Sequence, residues 1–226
     1  MGSSWSSETD RLPPEDSLSE EGPPLELPPL SASDLRVREW VARLSAHPQL
    51  AAWLVTDRLI ERFVLSVVEL AGGSNPSEHL PFLIPSEPFP VRSEGGRLFM
   101  AEAGHRRHDL LASVFVSLEP RGTLTLYRQL RPLLEESYRG LGLPGGSFDQ
   151  TLRLAIDQLL SVQIPSDSPV LVPYEGVYIY QIPALEERRG AEKALLRMGP
   201  ENVRQIQAKL RELREGLEDL ESGGSF

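Results

Sequence analysis

Val37, Trp40, Val41 and Leu44 recur at i, i+3, i+4 and i+7. That is one apolar face of a helix, which ends before His47-Pro48 because the residue ahead of a proline is pushed out of the α region. Asp34 stands where the N-cap belongs. A longer helix is expected from Pro48 to Leu70, striped by Leu50, Trp53, Leu54, Ile60, Phe63, Val64, Val67 and Val68 and ended by Gly72-Gly73. From Ser74 to Gly96 the chain is Pro-rich and irregular, with enough apolar residues (Leu80, Phe82, Leu83, Ile84, Phe89) to be laid against a core. The stretch "RLFMAEA" reads either as a short strand or as the lead into the next helix.

Helical spacing returns in "HRRHDLLASVFVSLEP", where Leu111, Val114, Phe115 and Leu118 share a face, and in "TLTLYRQLRPLLEESYRGLG", where Pro132 marks a kink or a first turn. "GSFDQTLRLAIDQLL" opens with the capping box Ser147-x-x-Gln150. "VLVPYEGVYIYQI" alternates around Glu175-Gly176 and predicts a small hairpin. Two helices close the chain, one started by Pro183 and one by Pro200, with Gly199 at the C′ position between them. The fold class is therefore mainly α: a single multi-helix domain over 34–221 with a small β-hairpin. The acidic Pro/Ser-rich stretch 1–33 is expected to be a disordered tail and 222–226 a frayed end.

Charge sharpens this division. Residues 1–33 hold seven acids against Arg11, a balance of −6, so the other 193 residues carry −4 of the total −10. With no basic stripe, nucleic acid is not an expected partner. "PPLELPPL" would favour polyproline II, although a solvated tether is the simpler reading. The most apolar stretch is broken by Asp57, Arg58, Glu61 and Arg62, so no transmembrane segment is expected. No signal peptide opens the chain, which points to the cytoplasm. Cysteine is absent, which removes thiolate chemistry and Cys-based metal sites.

The remaining chemistry is thin. His105, His108 and Asp109 in "HRRHD" could present ligands on one helical face, with His79 or Glu102 adding a donor, but Arg106 and Arg107 would oppose a divalent cation. No metal and no cofactor are expected. Ser147 lacks the G-x-S-x-G frame of a nucleophile elbow and is better placed as a cap. Glu135-Glu136 and Glu186-Glu187 are adjacent in sequence, diverge on a helix and are expected to be solvated. Lys193 shares its helix with Glu192 and Arg197 and is expected to be paired or exposed.

In "LLRMGPEN", Arg197, Met198, Gly199, Pro200 and Asn202 read as a structural corner. Arg197 should keep its stem buried and find a partner, with Asp109 the first choice, while Asn202 ties the first turn of the last helix.

From Trp53 to Leu217 the chain resembles the bacterial family called domain of unknown function 3014. The resemblance is carried by "LEERRGAEKALLRMGPENVRQIQAKL", where Leu185, Glu186, Lys193, Leu196 and the corner residues Arg197 to Pro200 and Asn202 fall on the family's pattern. "HRRHDLL" and "YRQLRPLLEESYRGLGLPGGSFDQTLRLAIDQLL" match more weakly. The family has no established activity. Its members usually carry an N-terminal membrane anchor, which implies an envelope connection and the periplasmic face of the inner membrane as the alternative location. The expected function is a non-enzymatic interaction or scaffolding role with a protein partner, a second copy of the chain included. The alternative is a hydrolase-like enzyme whose site gathers scattered polar residues around His105, His108 and Asp109.

Overall fold

The computed structural model describes residues 26–221, in which ten α-helices surround two layers of core and carry one small sheet. The helices are α1 (Asp34–Ala42), α2 (Pro48–Trp53), α3 (Leu59–Ala71), α4 (Glu102–Arg106), α5 (Asp109–Val116), α6 (Pro120–Gly140), α7 (Phe148–Leu160), α8 (Pro183–Glu186), α9 (Gly190–Arg197) and α10 (Pro200–Glu221). The strands are β1 (Val91–Glu94), β2 (Arg97–Met100), β3 (Val170–Tyr174) and β4 (Val177–Tyr180).

Helices α6 and α7 run through the middle and serve both helical cores. On one side Val64, Val67, Leu130, Leu134 and Phe148 join α1, α3, α6 and α7. On the other, Ala112, Leu124, Ile156, Val203 and Leu210 join α5, α6 and α7 to α10. Local chemistry sets the ends of these helices. Glu119 caps α6 by accepting from Arg121 N and Gly122 N. The Ser147/Gln150 capping box opens α7, and Glu135 also accepts from Phe148 N at 2.9 Å, so this carboxylate is not simply solvated. Pro132 lies well inside α6 and does not mark its first turn.

The helix expected over 48–70 is interrupted at 54–58. Arg38 of α1 donates to Leu54 O at 2.7 Å and Thr56 O at 3.0 Å. Asp34 accepts from Arg58 N at 2.6 Å and Leu59 N at 2.8 Å. Asp34 thus caps α3, while Ser33 occupies the N-cap position of its own helix. Carbonyls and amides freed by the break are satisfied by α1, which a local apolar stripe does not encode. The "HRRHD" helix is likewise split between α4 and α5, and the helix begun by Pro183 between α8 and α9.

Residues 1–25 of the expected tail and 222–226 lie outside the described residues. Within 26–33, Leu27 and Leu30 pack against the first core, Leu30–Ala32 form a 3-10 turn and Ser33 is buried.

The hairpin expected around Glu175-Gly176 is joined by a second, β1–β2, closed by Gly95-Gly96 in a stretch expected to be irregular. Both two-residue turns have positive φ at both positions, the type I′ form that matches strand twist. The four strands form an antiparallel sheet in the order β1-β2-β3-β4. Its inner face (Leu98, Leu171, Tyr180) packs on Phe89, Leu185 and Leu196 as a third core. The register places Phe99 beside Val170, Val172 beside Ile179 and Tyr174 beside Val177, all on the outer face.

Candidate functional site

The polar residues of the "LEERRGAEKALLRMGPEN" stretch converge on the outer edge of β4. In a two-residue hairpin the residues flanking the turn form a hydrogen-bonded pair, so Tyr178 and Tyr180 point their backbone groups away from β3. Those groups are taken up by the helices that follow. Tyr180 N donates to Glu186 Oε2 at 2.9 Å, and Arg197 Nη2 donates to Tyr178 O at 3.2 Å. Lys193 Nζ donates to the other Glu186 oxygen at 2.7 Å. Burial opposes ionisation of Glu186, yet the bonds from Lys193 and Tyr180 N hold its carboxyl below the usual carboxylate range. Glu186 is thus engaged, contrary to the solvated pair expected from sequence.

Arg197 lies against the rings of Phe89 and Tyr180, each 5.8 Å from its guanidinium carbon, with Arg107 on Phe89 at 5.3 Å. Asp109 is not its partner. That carboxylate accepts from Asn202 Nδ2 at 2.9 Å, and the same amide nitrogen reaches Met198 O at 2.9 Å and His105 O at 3.2 Å. Asn202 therefore ties α10 to the α4–α5 junction. Gly199 has a φ of 86°, and a Cβ there would lie 2.5 Å from His105 Cγ, so the corner needs glycine for both conformation and space. Pro200 begins α10, as its missing N–H allows.

Beside this corner lies a cleft of about 150 Å³, bounded by the loop 164–169, His105, Tyr180, Pro200 and Arg204. Ligand pockets usually enclose roughly 300–1,000 Å³. Burial lowers the pKa of His105 and raises that of Tyr180, so neither is tuned toward neutrality as a general acid or base should be. His105, His108 and Asp109 do not face one centre: His105 borders the cleft, His108 is buried with Nε2 unpartnered, and Asp109 is held by Asn202. Burial, then Arg107, pushes His108 down to about 4. His79 pairs with Glu69 at 3.2 Å, and Glu102, on the same helix as His105, pairs with Arg106 at 3.4 Å. Among the described residues no group of three or more His, Asp or Glu is placed to hold a metal ion.

One serine–histidine pair was not visible in the sequence. His47 Nε2 lies 3.3 Å from Ser113 Oγ, brought together across 66 positions. His47 Nδ1 accepts from Gln49 N at 3.2 Å, which puts the ring proton on Nε2. Ser113 meanwhile donates to Leu110 O at 2.9 Å. The histidine is a donor toward the serine and cannot take its proton in this arrangement, so the pair fastens the α1–α2 link to α5.

These features define a mainly helical domain whose small sheet is clamped along one edge by its own C-terminal helices. The chain belongs to the family described as protein of unknown function (DUF3014), whose model matches residues 59–214. That span takes in α3 to α9 and the first two-thirds of α10, and with them the edge clamp and the corner. No curated protein matches the chain, and no solved structure does. No helix among the described residues is long and apolar enough to cross a membrane.

Proposed function

We propose that the chain is a non-catalytic interaction module whose docking surface is the sheet. The outer face supports this reading. Its cross-strand pairs Phe99–Val170, Val172–Ile179 and Tyr174–Val177 are apolar, and none of the six packs against any of the three cores. Tyr174 and Val177 are 55% and 58% exposed, the other four are half-buried, and Arg92, Glu94 and Arg97 occupy the β1 side of the same face. A solvent-facing antiparallel sheet ordinarily alternates apolar-in with polar-out, so an apolar outer face marks a place where another surface sits. The envelope connection implied by the family resemblance belongs to the same reading, as the setting in which such a partner would be met.

The test is the double replacement Val172→Asp and Ile179→Asp, on neighbouring strands of that face. Crosslinked material from native cells should contain a discrete partner at fixed stoichiometry with the original chain. The variant should lose it while melting at an unchanged temperature. Retention of the same partner by the variant rejects the sheet as docking surface, and substrate turnover that depends on His105 rejects the non-catalytic reading.

A further inference from the structure

The two edges of the sheet differ. On β4 the outward backbone groups of Tyr178 and Tyr180 are occupied by Arg197 and Glu186. At the other edge β1 has no strand beside it among the described residues. Glu94 and Arg97 flank the Gly95-Gly96 turn, so Glu94 and Arg92 bond to β2 while Ser93 and Val91 turn their N–H and C=O groups outward. An open edge is a template for another strand unless something discourages it.

Short length and charge both discourage such pairing; β1 is only four residues long, but its charges are not of one sign. It carries Arg92 and Glu94, opposite charges on either side of Ser93 and on the same face. We infer that the open β1 edge docks a second copy of this chain, β1 against β1, antiparallel about a twofold axis at Ser93. This rests on the reading of the sheet as the docking surface. In that register the two Ser93 residues exchange both backbone bonds, as outward-pointing positions require. Arg92 of each copy then lies opposite Glu94 of the other in a non-hydrogen-bonded pair, where side chains approach most closely. Gly95 falls opposite Val91 and brings no side chain to the contact.

Neighbouring registers are worse. A twofold axis at Arg92 sets like charges against each other and leaves the outward backbone groups unmatched, and so does one at Glu94. Arg92 is already held toward the outer face by the Phe99 ring at 4.8 Å and pairs with Glu94 of its own strand. The ion pair therefore only changes partners, and the charges set register more than affinity. Joining the edges gives an eight-stranded sheet whose outer face carries the two apolar patches on either side of a central band of Arg92 and Glu94. Four residues of strand make a small interface, which places the dimer among weak, concentration-dependent associations.

Sedimentation velocity of the full chain at rising concentration tests this, with Arg92→Glu, Glu94→Arg, the double exchange and Ser93→Pro beside it. The original chain should show a concentration-dependent dimer. Each single charge change should weaken it by at least about tenfold, and the double exchange should return it to within about threefold. Ser93→Pro should abolish it, because proline removes an N–H that β2 does not use; an unchanged melting temperature shows that the fold survives, and the charge exchange reads the register without relying on that variant. A chain that stays monomeric, or a dimer indifferent to these changes, overturns the inference, as does a double exchange that fails to restore it. A monomer that still captures a partner through Val172 and Ile179 overturns the dimer and leaves the proposed docking face standing. A dimer that obeys the charge pattern while Val172→Asp with Ile179→Asp costs no partner does the reverse.

Discussion

At the scale of single residues, the polar side chains that stood out in the sequence hold backbone in place. Replacing Arg197 by alanine would leave Tyr178 O without its donor and open space beside Phe89 and Tyr180; a loss of about 1–3 kcal/mol in chemical denaturation is expected. Gly199→Val should cost as much or more through the contact with His105, and Arg197→Lys should recover only part of the loss because an ammonium cannot stack as a guanidinium does. Unfolding of Arg197→Ala at the original midpoint would show that the side chain serves something other than the fold. His108 gives a pH signature. Folded, it titrates at about 4; unfolded, near 6.5, so the unfolded chain takes up the proton first. Stability present above about pH 6.5 is therefore lost as pH falls toward 4, by at most about 3 kcal/mol, and His105 shifts in the same direction. Denaturation midpoints across that range should fall less steeply in His108→Leu. The roles of Gly199 and Pro200 could be read from the sequence because they are local. The partner of Asp109 could not, since Asn202 stands 93 positions away and arrives only when α10 docks.

At the scale of elements, periodicity located the apolar faces and missed the places where one helix is completed by another. Nothing in "WLVTDRLIER" announces that α1 supplies the bonds for a break there, because Asp34 and Arg38 act across the packed interface. Asp34→Ala should remove two acceptor contacts at the start of α3 and destabilise by about 0.5–2 kcal/mol. Asp34→Asn should keep only part of that stability, since its one oxygen can accept from Arg58 N or Leu59 N while the NH2 that replaces the other oxygen cannot; full stability in Asp34→Asn would show that one acceptor is enough. The strands show the reverse case. "SEGGR" carried a two-residue hairpin turn as legible as "YEGV", but the prolines upstream made the stretch look irregular. The meeting of the two hairpins through only Leu98–Leu171 and Phe99–Val170 follows from tertiary packing, and Pro173 helps to limit it, having no N–H to give.

At the scale of the whole molecule, the last residues of the acidic stretch expected as tail belong to the fold, since Leu27 and Leu30 pack on the first core and Ser33 is buried. Removing 1–25 should leave the melting temperature where it was. Removing 1–33 should lower it by several degrees, because Leu27, Leu30 and the buried Ser33 leave with the segment. Equal midpoints for the two truncations would mean that those leucines contribute nothing. The second core has a different weakness, one of timing. Ala112, Leu124, Ile156 and Val162 wait for Val203, Ile206, Leu210 and Leu217, all on α10. During synthesis those apolar surfaces emerge long before the helix that covers them, while the first core already has α1, α3, α6 and α7 to hand. A ribosome stalled ahead of Pro200 would therefore carry a chain folded on one side of α6 and adhesive on the other, the state in which a nascent protein most needs a chaperone.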